Sequence, residues 1–439
     1  LVGVGYWLNC WFDKIVAQLR LRYYAHQRVF RYEATLAKSN WDSIQQYYLN
    51  AAPTSLPYEP MTLQNSLPSF KVKQPPMQLA PPSTTMVRME KGQLFIGDAH
   101  TKTLYEFDES LALKNGAAAG EGVVHMEALQ EGYVITSMGS FTPTDIGTGT
   151  TFFLPKSKKE KPFVMANQLR RPVHSAMADL DGDGKYDLIT CEYGKWTGQL
   201  TWWKNDGNGQ FERRLIWDMP GAIKAYPRDM NQDGRMDVVA LFGQGDEGIY
   251  IFYNQGDGQF REQRIISFPP VYGSSFFELT DLNDDGHPDI LYTNGDNADY
   301  TPITKPYHGI RLYENDGQNN FKEKLFLPLP GAYGAAAKDF DMDGDLDIAA
   351  ISFFPDFGRQ PAAGFVYFEN NGSEGFTAQT FPGSTNGRWV VMDTADFDGD
   401  GDEDIALGNL AFEVPGDAER VAKWTERGLP FVVLENLVK

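Results

Sequence analysis

Asp179-Leu-Asp181-Gly-Asp183-Gly-Lys185-Tyr-Asp187 decides the reading of this 439-residue chain, because four further stretches repeat its pattern. They are Asp229-Met-Asn231-Gln-Asp233-Gly-Arg235-Met-Asp237, Asp281-Leu-Asn283-Asp-Asp285-Gly-His287-Pro-Asp289, Asp339-Phe-Asp341-Met-Asp343-Gly-Asp345-Leu-Asp347 and Asp396-Phe-Asp398-Gly-Asp400-Gly-Asp402-Glu-Asp404. Successive copies start 50, 52, 58 and 57 residues apart. A second element follows in constant phase: Trp203-Lys-Asn205-Asp-Gly207, Tyr253-Asn254-Gln-Gly256, Tyr313-Glu-Asn315-Asp-Gly317 and Phe368-Glu-Asn370-Asn-Gly372, each with a Phe four residues beyond its Gly. Two motifs kept in phase define a repeated structural unit.

Between the motifs lie short β-rich runs bounded by Gly, Asn and Asp, such as Asp187-Leu-Ile-Thr-Cys191, Leu200-Thr-Trp-Trp203 and Asp347-Ile-Ala-Ala-Ile-Ser352. Each repeat thus supplies about four strands. A four-stranded unit of this length is a propeller blade, and radial closure hides its edges. The segment from Thr84 to Leu169 has similar strand spacing, with Gln93-Leu-Phe-Ile-Gly97, Gly132-Tyr-Val-Ile-Thr136 and Thr151-Phe-Phe-Leu154, but lacks the acidic loops. Two plain blades and five acidic ones predict an all-β, seven-bladed β-propeller over 84–439. The last blade stops after Val432-Val-Leu-Glu-Asn436 and needs an outer strand, expected from Ser69-Phe-Lys-Val72.

In each acidic loop, side-chain oxygens at positions 1, 3, 5 and 9 and the backbone carbonyl at position 7 can wrap a hard cation. Gly at position 6 permits the sharp turn. Position 7 is Lys185, Arg235, His287, Asp345 or Asp402, so the side chain of His287 is discounted. Several carboxylates in a flexible loop suit calcium better than magnesium, and about five Ca²⁺ sites are expected. Eighteen aspartates at the four side-chain positions would otherwise repel one another. An EF-hand fails, because position 12 of the first loop is Thr190 and strands flank it; dockerin fails likewise.

Composition bounds the rest. With 42% hydrophobic residues, 43 Gly and 26 Pro, the chain is neither disordered nor collagen-like. The net charge of −20 repels phosphates, which argues against nucleic acid as a partner. Cys10 and Cys191 make no CxxC or CxxCH signature, and Cys191 in its apolar strand reads as core. The opening Leu1-Val-Gly-Val-Gly-Tyr-Trp-Leu8 has two readings, the tail of a membrane anchor or signal segment and an ordinary buried helix end. A lipoprotein reading of Cys10 is weakened by Asn9 before it. Residues 13–49 lack Pro and Gly and read as a helix with a basic excess, suited to a membrane surface or a partner and equally to a solvated face. The chain divides into 1–50, an apolar tail and helix; 51–83, an extended Pro-rich linker with the ring-closing strand; and the propeller.

The face opposite the acidic loops is built from segments leading into each blade and from second-to-third-strand loops. His174, Lys224, Tyr272, Glu278, Asp296, Asp299, Tyr300, His308 and Arg388 fall there and could line a funnel for a polar ligand such as a sugar, or serve as loop caps. The one acid–base constellation is His174 and His308 with Glu278.

The five loops resemble those of the FG-GAP/VCBS repeat family, whose calcium loops join the first and second strands of propeller blades, as in integrin α-subunit heads. The resemblance spans 84–439 and is carried by the loops. More narrowly, His174 through Asn409, with Tyr272-Gly-Ser-Ser-Phe-Phe-Glu278 and Asn294-Gly-Asp-Asn-Ala-Asp-Tyr300, is similar to secreted bacterial VCBS-repeat proteins that often carry a c-type haem domain. It implies an extracytoplasmic protein of the periplasm or cell surface, acting as a binding or scaffold subunit of an envelope or membrane-associated complex with a protein partner or a glycan. Membrane contact would run through the N-terminal segment. The alternatives it leaves open are a carbohydrate-active lyase or dehydratase and an accessory to a c-type cytochrome.

Overall fold

The computed structural model describes residues 37–51, 60–157, 159–296 and 304–438. The chain forms two compact units, Leu1–Pro57 and Tyr58–Lys439. In the first, a helix spans Lys38–Ala51 with no buried residue. The apolar opening stretch, Cys10, most of the expected 13–49 helix, and Asp299 and Tyr300 lie outside the described residues. Among the described residues no helix is long and apolar enough to cross a membrane.

The second unit is a seven-bladed β-propeller, with blades 1 to 7 at 84–118, 123–169, 172–217, 222–267, 274–328, 332–379 and 389–436. The second strand of each acidic blade is buried at all six positions: Asp187–Glu192, Asp237–Phe242, Asp289–Asn294, Asp347–Ser352 and Asp404–Asn409. Such strands face a neighbouring blade on either side, so their sequences run apolar without alternating. Outer strands such as Phe211–Trp217, which has no buried position, mix polar with apolar residues. The core is therefore divided into seven apolar clusters, one at each blade junction. Trp202 and Phe242 join blades 3 and 4, and Phe107 and Phe431 join blades 1 and 7.

The ring is closed by strands from upstream of blade 1. Phe70–Lys73 pairs antiparallel with Phe431–Asn436, with Phe70 opposite Asn436, and becomes the outer strand of blade 7. Leu63–Gln64 adds a fifth, parallel strand to blade 6. Thr84 Oγ1 donates to the carbonyl of Pro430, a further tie between the two ends of the ring.

Candidate metal loops and the central channel

The acidic loops join first and second strands, and those of blades 3 to 6 are wound around their first residue. Asp179 accepts from the backbone N–H groups of Gly182, Asp183 and Gly184, and Asp229, Asp281 and Asp339 accept from the N–H groups at positions 5 and 6 of their loops. Position 6 is left-handed in all five loops, with φ between +83° at Gly184 and +103° at Gly401, which a side chain would strain. In three loops three carboxylates converge to within 4.8 Å: Asp179, Asp181 and Asp187; Asp339, Asp341 and Asp343; Asp396, Asp398 and Asp400. In the other two, position 3 is Asn231 or Asn283, whose Oδ1 accepts from the position-5 N–H.

Position 9 has a task that the sequence did not disclose. Asp187, Asp237, Asp289, Asp347 and Asp404 are all buried. In every loop one carboxylate oxygen accepts from the backbone N–H of the second motif's asparagine, at 2.8 Å from Asn205, Asn254, Asn315, Asn370 and Asn436. In four loops the other oxygen accepts from the N–H at position 2. The asparagine side chain donates back to the carbonyl at position 8, for example Asn254 Nδ2 to Met236 at 3.1 Å. This reciprocal clasp is why the two motifs stay in phase, and Asn436 is its fifth member. In blades 3 and 5 the motif's glycine makes room for position 7: a Cβ on Gly207 would lie 2.7 Å from the Lys185 side chain, and one on Gly317 2.7 Å from the His287 ring.

The loops differ in how their charge is met. In blade 3, Lys204 Nζ sits on Asp181 and Lys185 Nζ lies 3.2 Å from Asp183; in blade 4, the Arg235 guanidinium sits on Asp233. In blades 6 and 7 position 7 is itself acidic. Asp345 Oδ1, Asp396 Oδ1 and both carboxylate oxygens of Asp402 are buried with no hydrogen-bond partner. Burial, with Asp400, Asp404 and Asp398 close by, pushes Asp402 up to about 7. Buried, unpaired carboxylate oxygens are costly, and a hard cation held by the converging carboxylates beside them relieves that cost. The residues present fit a divalent oxygen-loving ion such as calcium.

The inner strands enclose a central channel of about 380 Å³. Each carries a β-bulge between its first and third residues. The third residues are Met86, His125, His174, Lys224, Phe276, Gly334 and Val391, and all seven line the channel. Two residues further on stand Arg88, Glu278 and Asp393, which also line it. Of the residues expected at a funnel, His174, Lys224 and Glu278 meet here; Arg88, His125 and Asp393 were missed.

The channel electrostatics are those of buried charge. The His125 and His174 rings lie 4.2 Å apart, and burial with Lys224 nearby holds both well below the usual histidine range, His125 at about 3. Lys224 packs 4.1 Å from the Phe276 ring centroid, and desolvation brings it down to about 8. Burial raises Glu278, against the opposing pull of Lys224, and lifts Asp393 to about 6.

The remaining expected residues lie elsewhere. Tyr272 stacks on Tyr307 at 5.4 Å, beneath the Arg311 guanidinium. Asp296 is near enough to Tyr333 to raise its hydroxyl. His308 and Arg388 line a separate cavity between blades 5, 6 and 7. The constellation of His174, His308 and Glu278 is thus divided between two cavities. His308, held at about 3 by burial, is neutral at physiological pH. Cys191 is buried in the core between blades 3 and 4, and burial pushes its thiol up.

A profile for FG-GAP-like repeats matches residues 179–240, 229–292 and 281–350. Among solved structures, a chain of the S. cerevisiae assembly of Dbp5 with Nup159 and Gle1 is similar at 10% identity and a TM-score of 0.46, covering 87% of this chain and 99% of that one. The Dos1 propeller is similar at 9% identity and 0.45, covering 81% and 77%. A protein of unknown function from Desulfotomaculum acetoxidans is similar at 15% identity and 0.40, covering 66% and 78%.

Proposed function

The chain being an FG-GAP-repeat propeller, we propose that it is a calcium-stabilised binding or scaffold subunit of a bacterial envelope or membrane-associated complex, working outside the cytoplasm. The observation that carries the calcium reading is the convergence of three carboxylates to within 4.8 Å in three of the loops, with Asp396 Oδ1 buried and unpaired in one of them. Short, largely exposed loops of this kind suit the 10⁻⁴–10⁻³ M affinities of extracellular calcium modules, which favours an extracytoplasmic setting. With calcium fixing one face, the opposite face is free to vary. It carries the long second-to-third-strand loop of blade 7, which includes the helix Ala418–Arg427, and the cavity lined by His308 and Arg388. A protein partner is the favoured occupant of that face and a glycan the alternative. The reading needs no reaction.

The test is native purification in mild detergent with calcium retained, followed by mass spectrometry of co-eluting chains. A partner at fixed stoichiometry that is released by chelation is the expected result. A solitary chain whose melting is unchanged by EDTA would overturn both halves of the proposal.

A further inference from the structure

The central channel holds two opposite charges that are not paired with each other. Lys224 and Glu278 stand on neighbouring inner strands, Ala222–Arg228 and Ser274–Thr280, and both line the channel half-buried. Among the described residues neither makes an ion pair or a side-chain hydrogen bond. They act on each other only at a distance, Glu278 favouring the charge on Lys224 and Lys224 that on Glu278, while burial opposes both. The other charges nearby have partners. Arg88 Nη2 lies 3.2 Å from Glu90 and Nη1 3.9 Å from Asp393, and Asp393 Oδ2 accepts from the Met89 N–H at 2.7 Å. Glu127 Oε2 accepts from the Met177 N–H at 3.1 Å.

Around the ring the wall sorts by chemistry. Lys224 is the third residue of its inner strand, and at the same level blades 2 and 3 present His125 and His174. Their rings lie 4.2 Å apart, and burial and Lys224 keep them neutral, so each carries one N–H beside the ammonium. Blades 5, 6 and 7 present Phe276, Gly334 and Val391 at that level, an apolar arc that Gly334 widens by having no side chain. Glu278 stands two residues beyond Phe276, about 7 Å nearer the acidic loops.

We infer that the channel binds a small zwitterion of the α-amino-acid class, its carboxylate on Lys224 beside His125 and His174, its ammonium on Glu278, and an apolar side chain against Phe276 and Val391. The volume of about 380 Å³ falls within the range of small-ligand sites. A plain carboxylate would leave Glu278 unpaired, a plain amine would leave Lys224 unpaired, and an uncharged polyol would leave both, and buried charges are costly without a counter-charge. A ligand in the channel leaves the opposite face free for the partner proposed above.

The experiment is calorimetric titration of the full chain, in calcium, with L-leucine, L-leucinamide, 4-methylpentanoate and sorbitol. Saturable binding of L-leucine is expected, at least tenfold tighter than that of the other three. Two variants locate the ends of the ligand. Glu278→Gln should weaken L-leucine at least tenfold and leave the weaker binding of 4-methylpentanoate unchanged, whereas Lys224→Met should weaken both and leave that of leucinamide unchanged. Should either variant fail to fold, Gly334→Val serves in its place: Gly334 lines the channel without strained φ, and a Cβ there meets only Ile351, at 3.5 Å. It fills space while both charges stay, and should weaken L-leucine at least tenfold in a folded chain. No binding of L-leucine by the folded wild-type chain, equal binding of L-leucine and its amide or its deaminated acid, tighter binding of sorbitol, or variants that weaken every ligand alike would each overturn the zwitterion site. If the chain still co-purifies with a partner while failing to bind L-leucine, only the channel reading fails, and the binding role of the protein stands.

Discussion

The acidic loops of blades 3 and 4 and those of blades 6 and 7 share one fold of the backbone and meet their negative charge in opposite ways. In the first pair, Lys185, Lys204 and Arg235 lie on the carboxylates, so the protein supplies its own cations. In the second pair, position 7 adds Asp345 and Asp402, and buried oxygens are left with no partner. The lesson is that one repeat can be self-neutralised in one blade and dependent on an ion in another. Stability should therefore be tied unevenly to calcium around the ring.

Chelation tests this most strongly. Each site filled to ten times its Kd contributes about 1.4 kcal/mol to the native state, and several sites add, so EDTA should lower the melting temperature sharply, and an unchanged melt would sink the metal reading. Substituting the loops separately sharpens the comparison. Asp400→Asn in blade 7 should remove a large part of the calcium-dependent rise in melting temperature, and Asp183→Asn in blade 3 a small part. Equal losses would mean that the basic residues do not substitute for the ion.

The clasp should show no such asymmetry. Asn254→Ala leaves the buried carbonyl of Leu180 and the partly buried bond to Met236 without the Nδ2 donor, and Asn370→Ala leaves the partly buried bond to Leu346 without it. Buried groups left unpaired cost about 1–3 kcal/mol each. Both variants should lose stability by chemical denaturation in EDTA as well as in calcium. A loss confined to calcium would make the asparagines part of the metal site.

A pH series distinguishes the loops further. Asp402 is raised to about 7, so the stability it allows is complete below the ordinary carboxylate range and is lost as pH rises through about 7. Chelated protein should melt higher at pH 5.5 than at pH 8; Glu127, Asp347, Asp393 and Asp404 contribute to that slope, so Asp402→Asn should lessen it and Asp183→Asn should leave it unchanged. The smallest effect is expected from Lys204→Met. Taking the ammonium off Asp181 should tighten calcium in blade 3 several-fold, measured by titration at low salt.

The fold was legible because the motifs count blades. Where they are absent, the count alone could not locate side chains. In the five acidic blades the channel residues stand at fixed distances before the loop: Lys224 lies five residues before Asp229, and Glu278 and Asp393 lie three before Asp281 and Asp396. Counting back from the loops would have found Asp393. Blades 1 and 2 offer no loop to count from, which is why Arg88 and His125 went unseen. The separation of His308 and Arg388 from the channel was unreadable for another reason. Both sit at the ends of long loops, whose paths are set by tertiary packing rather than by strand register.

Ring closure also sets an order of events during synthesis. Phe70–Lys73 leaves the ribosome roughly 360 residues ahead of the strand it pairs with. At 5–20 residues per second that is a wait of roughly 20–70 s, during which it has no native partner. Its alternating Phe-Lys-Val-Lys sequence is suited to waiting, since lysines on a strand discourage adhesion to other edges. When the last blade arrives, Glu435 receives Lys71 and Lys73, so the charges that kept the strand apart become those that hold it in place.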